Sequence, residues 1–437
     1  MSRVAVVGGG LAGLCAAHRL VEAGHEVVVY EAAARVGGVV GTRADDGWRL
    51  ETAASAFLAG ADDGLAALCA ELGVPVHAAS AVARRRYVYI DGRRRIIPTN
   101  PLALARTDLL TWRGKLELLR EPWRPRGEAG DESVHALAAR RLGPEAARAL
   151  VAPMVTGVFA ARAHDVGVAA GFPRLAALVA EGGLVRGALK AAWRQRGRKR
   201  PRGLAAPADG LGAVVAALAS RLGARVRCGQ VVSAVGEGRV IIGDQVHRHD
   251  AIVLATPARV SAGLVEDAAP ELAARLAELR RAPTAVVYLG YPAAAVAAAA
   301  DGFGVLVADG EAPRVLGVVF ESTLWPGRAP AGQALLRCIY GGARDPGVLD
   351  QDDAGLLAQA ERDVAAVLGV DATPTRREVV RWRDGIAAYP VGHRDRVATL
   401  DTLAHRSRWV LAGADYHGVG VNDVCADARR VVAEVAA

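Results

Sequence analysis

The opening residues leave the chain little choice of fold. Val4 to Val7 is a short apolar run that reads as a strand, and it enters Gly8-Gly9-Gly10-Leu11-Ala12-Gly13, which fits G-x-G-x-x-G. Gly8 allows the tight turn, Gly10 lets backbone approach a pyrophosphate, and Gly13 permits close packing of helix on strand. Leu14, Ala17 and Leu20 recur at helical spacing as far as about Glu22, and Gly24 ends the helix. Val27 to Tyr30 is a second strand. Glu31 follows about 20 residues beyond the glycines, placed to accept from both ribose hydroxyls. A lone glycine turn would be weak evidence. Set between strand and helix with the acid in register, it predicts a Rossmann-like unit with phosphates at the helix N-terminus.

The pattern continues as Glu31-x-x-x-Arg35-x-Gly37-Gly38, then Gly41-Thr42. This extension resembles the FAD motif of glutathione-reductase-like and amine-oxidase-like flavoproteins, and NAD enzymes usually lack it. The cofactor implied is FAD, with its ADP half on Gly8, Gly10, Leu11, Ala12, Gly13, Glu31, Ala32, Arg35, Gly38 and Val39. Farther on, 224–235 looks like the edge of a strand pair, and Val231 offers a backbone contact for adenine. Ala251 to Leu254 is a buried strand ending in a small-residue turn at Pro257. Trp409 to Leu411 is another, followed by Gly418-Val419-Gly420-Val421-Asn422-Asp423 and a helix from Ala426 to Val435. A glycine-bounded turn opening a helix suits the pyrimidine edge of a reduced, anionic flavin. Val419, Gly420 and Val421 are therefore cofactor candidates, as is Trp382; the alternative is an ordinary glycine-rich connection.

At 437 residues the chain suggests two or three domains. The expected fold class is α/β + α. A discontinuous FAD-binding domain spans 1–80, 203–275 and 396–437, and a helical domain is inserted at 82–202. A mixed-sheet substrate domain at 276–395 includes strand-like runs Ala285 to Leu289 and Val315 to Phe320, and one face of this sheet is expected to cover the flavin. The net charge of +8 reflects abundant, scattered arginine. The one dense run, Arg196 to Arg202, reads first as a solvated loop and second as a membrane or nucleic-acid contact. The five cysteines are isolated, with no C-x-x-C pair, which predicts reduced thiols, no metal site and a cytoplasmic setting. The ordered part is expected to begin by Arg3, leaving no room for a signal peptide, and no apolar run approaches the roughly 18 residues of a membrane span.

Several segments, in order, resemble the oxygen-dependent protoporphyrinogen IX oxidases over nearly the whole chain. They include Arg86-Tyr87-Val88-Tyr89-x-x-Gly92, Thr156-Gly157-Val158-Phe159-Ala160, Gly302-Phe303-Gly304-x-Leu306-Val307, Pro326-x-Arg328-Ala329-Pro330, Gly341-Gly342 and Tyr389-x-x-Gly392-His393. The resemblance implies oxidation of protoporphyrinogen IX to protoporphyrin IX, FAD taking hydride and O2 becoming H2O2, with no obligatory side-chain acid or base. It places Arg86 at a substrate propionate and Phe303, Gly304 and Leu306 on one wall, with Val319 and Ile339 across from them. Gly157 maps to a point of close approach. Read without the family, Leu306, Val319 and Ile339 would be core residues and Arg86 a surface arginine. The chain departs from the pattern at Glu51-Thr52-Ala53-Ala54, Ile386-Ala387-Ala388-Tyr389, Gly413-Ala414 and Ala161-Arg162.

Three other readings stand beside this one. Coproporphyrinogen III, with four propionates, would demand more cations. An amine oxidase would need an aromatic cage that this aromatic-poor chain barely offers, and a desaturase would need a longer tunnel. A basic FAD-containing binding protein would use residues 186–202. No nucleic-acid partner is expected. Peripheral contact with a membrane, by way of Trp112, Trp123 and Trp193, is the open partner question; the alternative is that each tryptophan is partly buried in its own domain.

Overall fold

Strands from widely separated parts of the chain lie side by side in one parallel sheet, in the order Val226–Arg227, Glu26–Tyr30, Arg3–Val7, Ala251–Leu254, Trp409–Leu411. A parallel sheet is covered on both faces, so its strands are apolar throughout rather than alternating. Val4, Ala5 and Val6 are wholly buried for this reason. Leu11–Glu22, Leu211–Leu222 and Val421–Ala436 pack on one face. The other face is closed by Ala258–Val265, Pro270–Ala277, His393–His405 and a three-stranded antiparallel sheet, Val232–Gly236, Arg239–Ile242, Gln245–Arg248. The computed structural model describes residues 1–60, 64–124, 130–194 and 203–437. The run Arg196 to Arg202, expected as a solvated loop, lies outside them.

The stretch 224–235 is not one strand pair. Val226–Arg227 joins the parallel sheet, whereas Val232–Gly236 opens the antiparallel one. The N–H groups of Gly229 and Gln230 bond back to the carbonyls of Ala33 (3.0 Å) and Glu31 (2.9 Å), which turns the chain outward and leaves Val231 exposed.

The second large sheet has seven strands, in the order Arg376–Ala387, Arg281–Pro292, Gln333–Gly341, Gly317–Val319, Gly304–Val307, Tyr87–Ile90, Arg93–Ile96. The last two form a hairpin inside the stretch expected to be helical. Tyr87–Ile90 pairs in parallel with Gly304–Val307, giving that strand a neighbour on its outer side. Of the run Val315 to Phe320, only Gly317–Val319 is strand, because a short helix, Glu321–Leu324, begins at once. Successive side chains point to opposite faces. Val305, Val318, Cys338, Tyr340, Ala285 and Val287 fill a core with the helix Asp353–Leu368. The register places Leu306, Gly317, Val319, Arg337, Ile339, Val286, Tyr288, Val380 and Trp382 on the other face.

The described residues between 101 and 194 are mostly helical, and side chains of Asn100, Thr111 and Ser133 cap three of the helices. Inside this part, Arg141 and Glu121 form a fully buried ion pair. Between the sheets, Trp48 and Leu50 of the hairpin Thr42–Asp45, Trp48–Glu51 pack on Val286, Tyr288, Leu335 and Val380. The hairpin thus covers one half of the second sheet's exposed face.

Candidate functional site

The N-terminal glycine turn is built as its sequence requires. Gly8 sits at φ +107°, its N–H bonded to Tyr30 O at 2.8 Å, and a Cβ there would lie 2.8 Å from Ala255 O. A Cβ on Gly13 would lie 2.0 Å from Gly8 O, so only glycine lets the helix come this close. Gly10 is different: a Cβ there meets nothing within 4 Å, and its φ of −69° suits any residue. What Gly10 preserves is open space in front of the helix N-terminus formed by Leu11, Ala12 and Gly13, where a pyrophosphate fits. Glu31 accepts from Gly9 N–H (2.6 Å) and Ala33 N–H (2.8 Å) and is only half-buried, so its oxygens retain room for a ribose. Gly37 N–H bonds to Gly9 O (2.8 Å), which lays the turn 35–38 against the glycine turn. Arg35 is exposed and folds onto the carbonyls of Val36 and Gly38, beside Val39; Ala32 is exposed on the same rim. This cradle fits the ADP half of FAD.

At the C-terminal turn, Gly413 passes Ala12, to whose Cβ an added Cβ would lie 3.8 Å away, so the two ends of the chain meet at the same helix terminus. Val421–Ala436 is the observed helix, with Gly420 at its N-cap and Val419 half-buried just before it. Asp423 accepts from Gly420 N–H at 3.3 Å, and burial pushes its carboxyl up from its ordinary value. Tyr389 braces this turn: its hydroxyl donates to Ala414 O and accepts from Gly418 N–H, each at 2.9 Å. His393 stacks on the Tyr389 ring at 4.0 Å, and burial, aided by Arg396, holds its imidazole down to about 4. Neither role was visible in the sequence, where both residues appeared in Tyr389-x-x-Gly392-His393 and Tyr389 also closed the departure Ile386-Ala387-Ala388-Tyr389. Nothing in residue type or spacing marks a hydroxyl that braces a turn some 25 residues away.

The substrate candidates converge on the half of the second sheet that the hairpin does not cover, where Phe303 and Val319 pack against Ala206, Leu324 and Trp325. Leu306, Val319 and Ile339 stand on three adjacent strands, on one face, and each is only half-buried beside fully buried neighbours. A closed core would have swallowed them; here they form an apolar wall. Gly304 lies on the same strip at φ +156°, where a Cβ would lie 2.3 Å from Val318 O. Gly157, on the helix Ala152–Phe159, faces the wall so closely that a Cβ would sit 2.9 Å from Leu306 Cδ2. Arg86 is exposed at the wall's edge, its guanidinium 5.2 Å over the Phe303 ring. Its neighbour Arg85 is ion-paired with Asp301. Arg86 has no carboxylate partner among the described residues, so it is the cation left for a carboxylate. Trp382 stands elsewhere, toward the hairpin, donating its indole N–H to Thr52 O at 2.7 Å.

A family model described as flavin containing amine oxidoreductase matches residues 11–436. The protoporphyrinogen oxidase of Macaca fascicularis is 30% identical, with 99% of this chain and 98% of that one covered. The coproporphyrinogen III oxidase of Propionibacterium freudenreichii subsp. freudenreichii is 31% identical, with 98% and 90% covered. A solved structure from Exiguobacterium sp. 255-15 superposes with a TM-score of 0.84 at 23% identity, covering 99% and 98%. A putrescine oxidase does so with a TM-score of 0.75 at 17% identity, covering 100% and 98%; these two likenesses speak to fold alone.

Two outcomes follow from the geometry. Gly10→Val fills open space, so its FAD affinity should fall at least roughly tenfold while the apoprotein's Tm stays near the parent's; flavin-fluorescence titration and calorimetry read both. His393, held below the ordinary histidine value, costs stability as pH falls, because the unfolded chain takes the proton first. The parent's Tm should therefore drop between about pH 6.5 and 4, and His393→Phe should flatten that drop.

Proposed function

The chain belongs to the flavin-containing amine oxidoreductases, and from that premise we propose that it oxidises protoporphyrinogen IX to protoporphyrin IX. It is an FAD-dependent oxidoreductase. One observation carries the substrate assignment: a half-buried aliphatic strip, Leu306, Val319 and Ile339, ends at the unpaired Arg86. A flat, greasy macrocycle carrying a carboxylate matches that strip and that cation.

Gly8, Gly10, Leu11, Ala12, Gly13, Glu31, Ala32, Arg35, Gly38, Val39 and Val231 would hold the ADP half of FAD, and Val419, Gly420 and Val421 the flavin end, with Trp382 behind the segment at Thr52. Bound FAD supplies the hydride acceptor, and O2 takes the electrons on as H2O2. The protein's share is orientation and exclusion of water. Arg86 pairs with a propionate and Phe303 backs its guanidinium. Leu306, Val319 and Ile339 support one side of the macrocycle, and Gly157 and Gly304 keep the space a side chain would fill. No side chain is assigned a proton-transfer role.

Coproporphyrinogen III is the second reading, favoured by the 31% identity to a relative of that name against 30% to the protoporphyrinogen oxidase. Arg86, the one arginine at the wall without a carboxylate partner among the described residues, favours the two-propionate substrate. Steady-state rates on both porphyrinogens decide, read by porphyrin fluorescence under air: kcat/KM should be higher for protoporphyrinogen, and a strong preference for coproporphyrinogen would reverse the assignment. Arg86→Ala should raise KM roughly tenfold or more, because a charge-assisted bond is lost. An unchanged KM would remove Arg86 from the site.

Peripheral membrane contact belongs to the same proposal. No described helix is long and apolar enough to cross a membrane. Trp112, Trp123 and Trp193 are 68%, 77% and 72% exposed rather than partly buried in their own domain, which leaves them available as interfacial anchors. Leu184–Arg194, which carries Lys190 and exposed Leu189, packs on the Glu121–Trp123 turn and brings two of these tryptophans onto neighbouring elements. The purified protein should float with anionic liposomes, and Trp112→Ala/Trp123→Ala should leave it in the dense fraction. A parent that stays in the dense fraction ends the membrane reading.

A further inference from the structure

Three consecutive backbone carbonyls, those of Glu51, Thr52 and Ala53, are each gripped by a side chain from a different strand of the seven-stranded sheet. Tyr288 Oη donates to Glu51 O at 2.8 Å, Trp382 Nε1 to Thr52 O at 2.7 Å, and Arg337 Nη2 to Ala53 O. The three strands are adjacent, and the register puts all three donors on one face, Tyr288 opposite Arg337 and Trp382 opposite Thr284. The other side of the same segment is tied to the cofactor motif. Thr52 N–H bonds to Gly41 O at 2.8 Å, and Thr52 Oγ1 donates to Val39 O at 2.7 Å. Arg337 lies at the border of the clasp and the apolar wall: it is paired in register with Val319 and is two residues from Ile339 on the same face. It is held by Glu321, 3.6 Å away, whose carboxylate is almost wholly buried.

We propose that Tyr288, Trp382 and Arg337 are positioning residues whose clasp on residues 51–53 sets the spacing between the FAD cradle and the substrate wall. The inference rests on the function proposed above and adds a rate-determining element to it. If only stability were at stake, ordinary strand pairing could satisfy these carbonyls. Side-chain donors instead fix the segment to one face at three successive points, with no freedom to slide. Such a device governs how closely a bound macrocycle approaches the cofactor, and small misplacements of reacting groups cost large factors in rate. It should not govern how tightly either one binds.

Tyr288→Phe keeps the ring and deletes the donor, and it is the primary test. In the FAD-loaded variant, kcat should fall roughly tenfold or more, with KM and FAD affinity within about twofold of the parent, and the visible flavin spectrum should change shape. Arg337→Lys, which keeps the charge opposite Glu321, should lose less than Arg337→Met. A lower Tm with kcat and spectrum unchanged would make the clasp purely structural and overturn the proposal. So would a loss confined to KM or to FAD affinity. Should Tyr288→Phe fail to fold, Arg337→Met carries the same test, since it too removes a donor to the segment. The spectrum is read without porphyrinogen, so failure of the clasp and failure of the substrate assignment are separate results.

Discussion

The buried carboxylate of Glu51 joins the two halves of this molecule. It is 1% exposed and accepts from Arg328 Nη1 at 2.6 Å, from Thr42 Oγ1 at 2.9 Å, and from Leu211 N–H at the start of the helix Leu211–Leu222. Thr42 closes the FAD-motif extension, Leu211 begins a helix packed on the first helix, and Arg328 leads into the second sheet. Burial pushes the Glu51 carboxyl up, and Arg328 opposes that shift. A charge so deeply placed is tolerable only with its partners in position, so the hairpin, the helix and the sheet are obliged to assemble in one geometry. Arg281 and Asp415 repeat the arrangement beside the C-terminal glycine turn, with contacts of 2.8 and 2.9 Å.

That assembly divides one sheet face into two functions. Where the hairpin Trp48–Glu51 lies across it, Val286, Tyr288, Leu335 and Val380 become core. Where the hairpin stops, Leu306, Val319 and Ile339 are left half-buried and Arg86 is exposed with no carboxylate partner among the described residues. The site is therefore a consequence of incomplete coverage. Apart from Gly304, the strands need only aliphatic residues on the side the hairpin fails to reach. This explains why a half-buried aliphatic wall can coexist with an ordinary, well-packed core on the opposite face.

The ADP cradle was the most legible part of the sequence because its constraints are local. Gly8, Gly13 and Glu31 act within one strand–turn–helix–strand unit, and each answers to a steric or hydrogen-bonding demand that only those residue types meet. The wall was legible only through family likeness. Leu306, Val319 and Ile339 look like any buried aliphatics, and their shared face depends on a register among strands that no local pattern encodes. The hairpin Tyr87–Ile90, Arg93–Ile96 was hidden for a similar reason: its partner strand lies more than 200 residues away, so the basic stretch around it read as part of a helical insertion. Glu51 with Arg328, and the clasp on residues 51–53, were out of reach because each joins positions more than 230 residues apart.

Delivery of a porphyrinogen along the apolar wall to FAD in the N-terminal cradle is the step on which the proposed function stands. Anaerobic mixing of the FAD-loaded protein with protoporphyrinogen IX tests it most directly, because it isolates reduction of the cofactor from everything that follows. The visible flavin band should bleach in a fast first-order phase whose rate saturates with porphyrinogen, and it should return on admission of air. A flavin band that stays oxidised with both protoporphyrinogen and coproporphyrinogen, yet bleaches with a chemical reductant, would contradict the account.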